Sequence, residues 1–283
     1  KKYIFFYSRS ILHLSDIGQT LRNNVFVWSP FHLSLWFQYS PENVQGPGCH
    51  IDPSEVILQG CSCYTHSCQR ESSSCLQTYG QTYDRLAPGP EEILSIVTAG
   101  LCLSVTPCVA VVRSASNRVV QRGLGLRLCV YPTEDRGLGV PALEPISCGT
   151  FVCEYAGKVL GFEEARRRTL SQGPEDNNYI IAVREYAGQG PVNVTFVDPI
   201  VVENVGRFLN HSFQPNLFMV PVQVHSLLAL FTGRDITPQE LTFDYSASYS
   251  NTHSMDTLQR KPYRCGAQNC AQFLPLDISV LNN

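Results

Sequence analysis

Apolar and polar positions change their rhythm near Gly123. Beyond it, short runs dense in β-branched and aromatic residues recur at 150–160 (TFVCEYAGKVL), 179–183, 192–197, 217–224 and 227–231. Runs of this length and composition predict strands. Residues 162–170 instead space apolar positions among charges and predict one short helix. The EEARRR stretch at 163–168 reads as its solvated face rather than as a nucleic-acid patch. The second half is therefore expected to be a β-rich domain with few helices. From 38 to about 121 the chain is punctuated by Gly46-Pro47-Gly48, Asp52-Pro53 and Pro88-Gly89-Pro90, and reads as loop-rich. Residues 1–37 show no clean periodicity and are assigned no element or role.

Composition narrows the class. The chain of 283 residues is 43% hydrophobic, which excludes a disordered tail, and its net charge of −3 argues against a general nucleic-acid binder. No sequence-specific nucleic-acid contact is expected. The longest apolar stretch, 25–37, is broken by Pro30 and is too short to cross a bilayer. The opening KKYIFFYS imitates a secretion signal, but Arg9 interrupts it and no small-residue cleavage site follows.

The 12 cysteines are clustered rather than spread. Cys61-x-Cys63-x4-Cys68, with Cys75, forms one group, and Cys265-x4-Cys270 forms another. A C-x-C pair does not close a disulfide on itself easily, whereas its thiolates converge well on a metal ion. Zinc is the expected ligand of both groups. Cys129, Cys148 and Cys153 lie in strand-like sequence and read as buried apolar residues. Cys102 and Cys108 fit either role.

Four motifs occur in a fixed order: Arg136-Gly137-Leu138-Gly139; the loop GRFLNHS at 206–212 followed by Pro215-Asn216; ELTFDY at 240–245; and FLPLD at 273–277. With FVCEYAG (151–157), NNYIIAVRE (177–185) and TFVDP (195–199), they resemble the SET-domain histone-lysine methyltransferases. The resemblance covers 38–85 and 117–277. It implies a mostly β SET domain at 123–248 with a pseudoknot, a pre-SET region at 38–122 and a post-SET region at 259–277.

That resemblance implies a function and a site. The donor would be S-adenosylmethionine, and the acceptor a lysine on the histone H3 tail, within chromatin in the nucleus. Arg136, Gly137, Leu138, Gly139, Tyr179, Arg207, Asn210, His211 and Phe273 would hold the cofactor. The glycines permit close backbone approach, Asn210 and His211 offer hydrogen bonds to the adenine edge, and Phe273 would cover it. Tyr245, Tyr179 and Phe243 would form the catalytic channel. Tyr245 would orient the amine and receive weak C–H···O contacts from the methyl group. Phe243 stands where the family carries either Tyr or Phe. Without a hydroxyl there, di- or trimethylation is expected.

The chain also departs from the pattern. The family's Asn-His-Ser-Cys reads Asn210-His211-Ser212-Phe213, and its post-SET Cys-x-Cys-x4-Cys reads Tyr263-Arg264-Cys265 followed by Cys270. Two of four zinc thiolates are missing there, which leaves a tetrahedral site unclosed and the tail poorly held. In the pre-SET region, Ser73 replaces a ligand and 86–116 carries no recognisable pattern. Two readings follow: an active methyltransferase, or else a catalytically impaired SET-fold module, retained for binding or the product of a decaying gene or of misjoined exons.

Overall fold

The computed structural model describes residues 3–7, 10–11, 25–28, 38–50, 52–53, 120, 123–173, 176–185, 193–222, 227–246, 261–275 and 280. Cys61, Cys63, Cys68 and Cys75 lie outside these residues, as do Cys102, Cys108 and the patternless 86–116.

Backbone pairing organises the chain into small sheets. The segment left without an assignment forms β1 (Tyr3–Tyr7), β2 (Ser10–Ile11) and β3 (Val25–Trp28). Strand β3 runs parallel to β6 (Leu128–Pro132), which pairs in turn with β7 (Leu138–Gly139), giving the order β2-β1-β3-β6-β7. The stretch 1–37, left unassigned from its pattern, thus contributes three short strands among its described residues. Its strands are completed by a distant partner, which local periodicity does not reveal. Two short strands also arise in the loop-rich region, β4 (Gln38–Tyr39) and β5 (Val44–Gln45).

The run at 150–160 splits into β8 (Phe151–Glu154) and β9 (Lys158–Leu160). Side chains of distant asparagines break it: the Gly157 N–H donates to Asn43 Oδ1 at 2.9 Å, and the Asn204 amide donates to the Glu154 carbonyl at 2.7 Å. A Cβ on Gly157 would sit 2.5 Å from the Asp198 carbonyl oxygen, so the interruption needs glycine. The predicted helix forms as α1 (Phe162–Ser171), burying Ala165 and presenting Glu164 to Arg167 and Arg168. Arg168 is more than a solvated charge, because it also reaches the buried Asp198 at 2.7 Å.

β10 (Ile181–Glu185) begins two residues later than the pattern suggested and pairs with β11 (Asn193–Asp198), which pairs with β9. After β12 (Val202–Glu203), which pairs with β4, the chain makes a 3-10 turn, Val205–Phe208. β13 (Asn210–His211), β14 (Leu217–Val222), β15 (Leu227–Thr232) and β16 (Thr242–Phe243) complete the set. Strands β14, β15 and β8 form one antiparallel sheet.

The main core joins Leu128, Val140, Val152, Val197, Leu230 and Phe243, all buried from water. Cys153 is buried as expected, but Cys129 and Cys148 are only half-buried. Cys148 follows the last bridge before β8 rather than lying inside a strand, which accounts for its exposure.

Glu154 is a buried exception in this core. Its Oε1 has no hydrogen-bond partner among the described residues, and burial raises its carboxyl pKa from 4.5 to about 8. The folded protein therefore keeps a proton that the unfolded chain releases above pH 4.5 or so. Stability falls as pH rises through that interval, until both states are ionised above about 8. Glu154→Gln should flatten the dependence of the denaturation midpoint on pH between 5 and about 8, read by urea titration at several pH values.

Candidate functional site

The site is built where β13 and β16 run side by side in parallel, pairing Asn210 with Thr242 and His211 with Phe243. Parallel pairing requires a crossover in the intervening chain, which brings the two segments side by side. Asn216 fastens the crossing. Its amide donates to the Glu240 carbonyl at 2.8 Å, and its Oδ1 accepts the Thr242 N–H at 2.8 Å. The Ser212 N–H donates to the Phe243 carbonyl at 3.1 Å.

Residues 133–139 approach this crossing as a tight loop. Gly137 has φ +71°, and open space lies around its Cα. The loop is closed by the Thr133 N–H and hydroxyl, both donating to the Gly137 carbonyl at 2.7 and 3.0 Å. At Gly139 a Cβ would lie 2.7 Å from Glu240 Oε1 and 3.2 Å from Asn210 Nδ2, so only glycine admits that close packing. Glu240 receives Asn210 Nδ2 at 2.7 Å and Arg136 Nη2 at 2.8 Å, and Asn210 Nδ2 also donates to the Leu138 carbonyl. Arg136, Leu138, Gly139 and Asn210 are thereby brought together, with Glu240 as a hub. Its place in the ELTFDY motif was visible in the sequence, but its role was not.

His211 is wholly buried. Its Nδ1 accepts the Tyr245 N–H at 3.2 Å, which puts the ring proton of the neutral form on Nε2. Burial lowers its basicity below the ordinary value, although Asp244 at 3.6 Å opposes the shift. Nε2 has no hydrogen-bond partner among the described residues. Arg136 Nε faces Asp135 Oδ1 at 3.4 Å. Aromatic rings enclose the imidazole: Phe213 at 4.5 Å and edge-on, Tyr245 at 5.2 Å and Tyr263 at 5.7 Å between centroids.

Two tyrosine rings pack beside Phe243. The Tyr245 ring lies 4.8 Å from it and the Tyr155 ring 6.1 Å. The Tyr245 hydroxyl donates to the Leu209 carbonyl at 2.8 Å, and the Tyr155 hydroxyl donates to the Tyr179 carbonyl at 2.6 Å. Burial pushes the pKa of both phenols far above the usual value, so both stay protonated. Their protons are committed to carbonyls, and the remaining oxygen lone pairs are left as acceptors. Tyr179 lies just before β10, and the Arg207 guanidinium sits 4.6 Å over its ring. Arg207 is ion-paired to the fully buried Glu203. Tyr155 is a member that sequence reasoning missed, though it lies within the quoted FVCEYAG.

Phe273 bridges Pro262 in the C-terminal segment. Cys265 and Cys270 are adjacent there, the Cys265 N–H reaching Cys270 Sγ at 3.5 Å. Among the described residues no group of three or more His, Cys, Asp or Glu side chains is arranged to hold a metal. For this pair the zinc expectation meets two thiolates only: the positions where the resemblance places two more carry Phe213 and Tyr263, whose side chains are not thiolates. Arg264–Leu274 is also better held than expected. The Tyr263 hydroxyl donates to the His211 carbonyl at 2.8 Å, and Asn269 Nδ2 donates to the Phe213 carbonyl at 3.1 Å.

A SET-domain family model matches residues 137–246, which take in the end of the loop, the crossing and Tyr245. The chain is similar to the human histone-lysine N-methyltransferase SETMAR, at 43% identity over 90% of this chain. It spans 39% of the length of that human protein. The Bos taurus SETMAR is 42% identical over 94% of this chain and 90% of its own length. The crystal structure of the human SETMAR methyltransferase domain superposes with a TM-score of 0.75 at 40% identity, covering 89% of this chain and 94% of that one. Arabidopsis thaliana SUVH6, solved in complex with SAM, gives a TM-score of 0.64 at 26% identity over 89% of this chain and 53% of its own.

Proposed function

Because the chain belongs to the SET-domain family of histone-lysine N-methyltransferases, we propose that it transfers methyl groups from S-adenosylmethionine to a lysine of the histone H3 tail. The observation that carries this reading is the crossing itself. It packs the Arg136–Glu240–Asn210 network, the enclosed His211 and the Tyr245 hydroxyl into one place.

The residues fit the cofactor. Arg136, Gly137, Leu138 and Gly139 present an open glycine turn. His211 Nε2, which makes no hydrogen bond within the described residues, is the kind of buried polar atom a ligand satisfies. Asn210, His211, Arg207 and Tyr179 would complete the contact surface, with Phe273 over the adenine. When bound, the cofactor supplies an electrophilic methyl group on a sulfonium.

This chain's residues supply the rest. An ammonium cannot attack, so the lysine must arrive neutral. Its ordinary pKa is about 10.4, and an apolar wall favours loss of the proton to water. Phe243, only 2% exposed, provides that wall. The tyrosines are protonated and do not serve as bases. The Tyr245 hydroxyl donates to the Leu209 carbonyl, which leaves its oxygen lone pairs as acceptors; with the cofactor bound, they would receive weak C–H···O contacts from the methyl group and help to orient the amine. The positively charged H3 tail meets no net positive repulsion from a chain of charge −3. The proposed setting is chromatin, in the nucleus.

Phe243 sets the product. A hydroxyl at this position would hold a water or the amine and crowd out further methylation, whereas phenyl leaves room for di- and trimethyl products. Mass spectrometry of an H3 peptide should show di- and trimethyl species from the parent protein. Phe243→Tyr should shift the distribution to monomethyl, with the first methylation slowed less than about tenfold. Only monomethyl product from the parent, or an unchanged distribution in the variant, contradicts this assignment.

A further inference from the structure

The C-terminal segment 261–275 folds as a self-paired hairpin. The Tyr263 N–H donates to the Gln272 carbonyl at 2.9 Å, the Leu274 N–H to the Lys261 carbonyl at 3.0 Å, and Pro262 bridges Phe273. The hairpin is then pinned to the crossing. Lys261 donates to Asn177, beside Tyr179. Asn269 Nδ2 reaches the Phe213 carbonyl, and Cys265 accepts the Phe213 N–H. The Tyr263 hydroxyl donates to the His211 carbonyl, and the Arg136 guanidinium lies beside that same hydroxyl.

The two positions where the family resemblance leads one to expect zinc thiolates therefore hold rings that flank one buried imidazole. Phe213 meets His211 edge-on from one direction, and Tyr263 packs on it and bonds its backbone. A thiolate cannot supply an aromatic face, and a phenol and a phenyl do not complete a tetrahedral zinc shell. Tyr263 also links the 133–139 loop, through Arg136, to the crossing. We propose that segment 261–275 is a metal-independent latch, closed onto the site by Tyr263 and Phe213, with Cys265 and Cys270 acting as hydrogen-bonding thiols rather than zinc ligands. Tyr263 is then a positioning residue that acts through His211.

Zinc content per chain and hydrogen exchange of the 261–275 amides decide the matter in the full chain. Cys265→Ser with Cys270→Ser should leave both the zinc content and the protection unchanged. Tyr263→Phe keeps the ring but removes the hydroxyl, and should reduce protection of 261–275 by about tenfold with unchanged zinc content. Phe213→Cys with Tyr263→Cys supplies four thiolates and should add one zinc per chain. The proposal is overturned if the cysteine-to-serine variant loses one zinc together with the protection, or if Tyr263→Phe leaves the protection intact.

Discussion

Tyr245→Phe is expected to lower kcat for H3 peptide methylation by about 1,000-fold while leaving the dissociation constant of S-adenosylmethionine within about twofold. Only the hydroxyl is removed, so packing against Phe243 and His211 persists. In the folded protein that hydroxyl commits its proton to the Leu209 carbonyl, fixing where the oxygen lone pair points. A group fixed before the reaction loses nothing to reorientation during it, and removing one such group costs about 2.7–4 kcal/mol in other preorganised sites. The Leu209 carbonyl is also left without its donor. Methyl transfer measured in single turnovers, with cofactor binding measured separately, separates the two quantities. A variant within tenfold of the parent in kcat contradicts the role given to Tyr245.

Asn210→Ala should fail earlier, at assembly. Asn210 Nδ2 joins the Leu138 carbonyl of the loop to Glu240 of the ELTFDY segment, at 3.0 and 2.7 Å. Without it, Glu240 keeps its ion pair with Arg136, and a half-buried carboxylate loses one hydrogen-bond donor. Loss of a hydrogen bond to a charged group, with an acceptor left dry, costs about 2–3 kcal/mol. For a chain of this size that corresponds to a fall in Tm of about 4–10 °C. Binding of S-adenosylmethionine should weaken by more than about 50-fold, since the loop loses its attachment to the crossing. Calorimetric melting and cofactor titration of the same variant read both effects. A variant with the parent's Tm and affinity removes Asn210 from the account.

The parts of this architecture that were legible in the sequence are those with local causes. The helix Phe162–Ser171 announces itself through spaced apolar positions and Glu164 placed three and four residues before Arg167 and Arg168. The strands of the β14-β15-β8 sheet are long enough for composition to reveal them. The crossing is different. Asn210–His211 and Thr242–Phe243 are strands of minimal length, and their pairing follows from topology rather than from any period. Motif order pointed to these residues, but no pattern of hydropathy joined them. Likewise β3 gains its partner β6 from about a hundred residues away, so the 1–37 stretch looked featureless. Tyr155 was overlooked because its neighbours Glu154 and Cys153 read as ordinary strand. Its orientation depends on the break at Gly157, which distant asparagine side chains impose.

Tyr263 illustrates the opposite difficulty. In sequence it is a lost ligand, and two lost ligands predict a loose tail. In the folded chain the same residue bonds the His211 carbonyl, and Phe213 covers the imidazole edge. Substitutions that remove a metal site are compatible with an ordered segment when the new side chains satisfy the same backbone groups. The reading as an impaired binding module rested on those substitutions and on the patternless 86–116, and this packing bears on the first of the two grounds.

The central claim is that loop, crossing and hairpin together form a competent cofactor site. Titration of S-adenosylmethionine into the purified full chain by calorimetry tests it most directly. Saturable binding at one site with a micromolar dissociation constant, about −8 kcal/mol, is the predicted result. Absence of binding heat at several temperatures, in a sample whose circular dichroism and cooperative melting establish that it is folded, would contradict it.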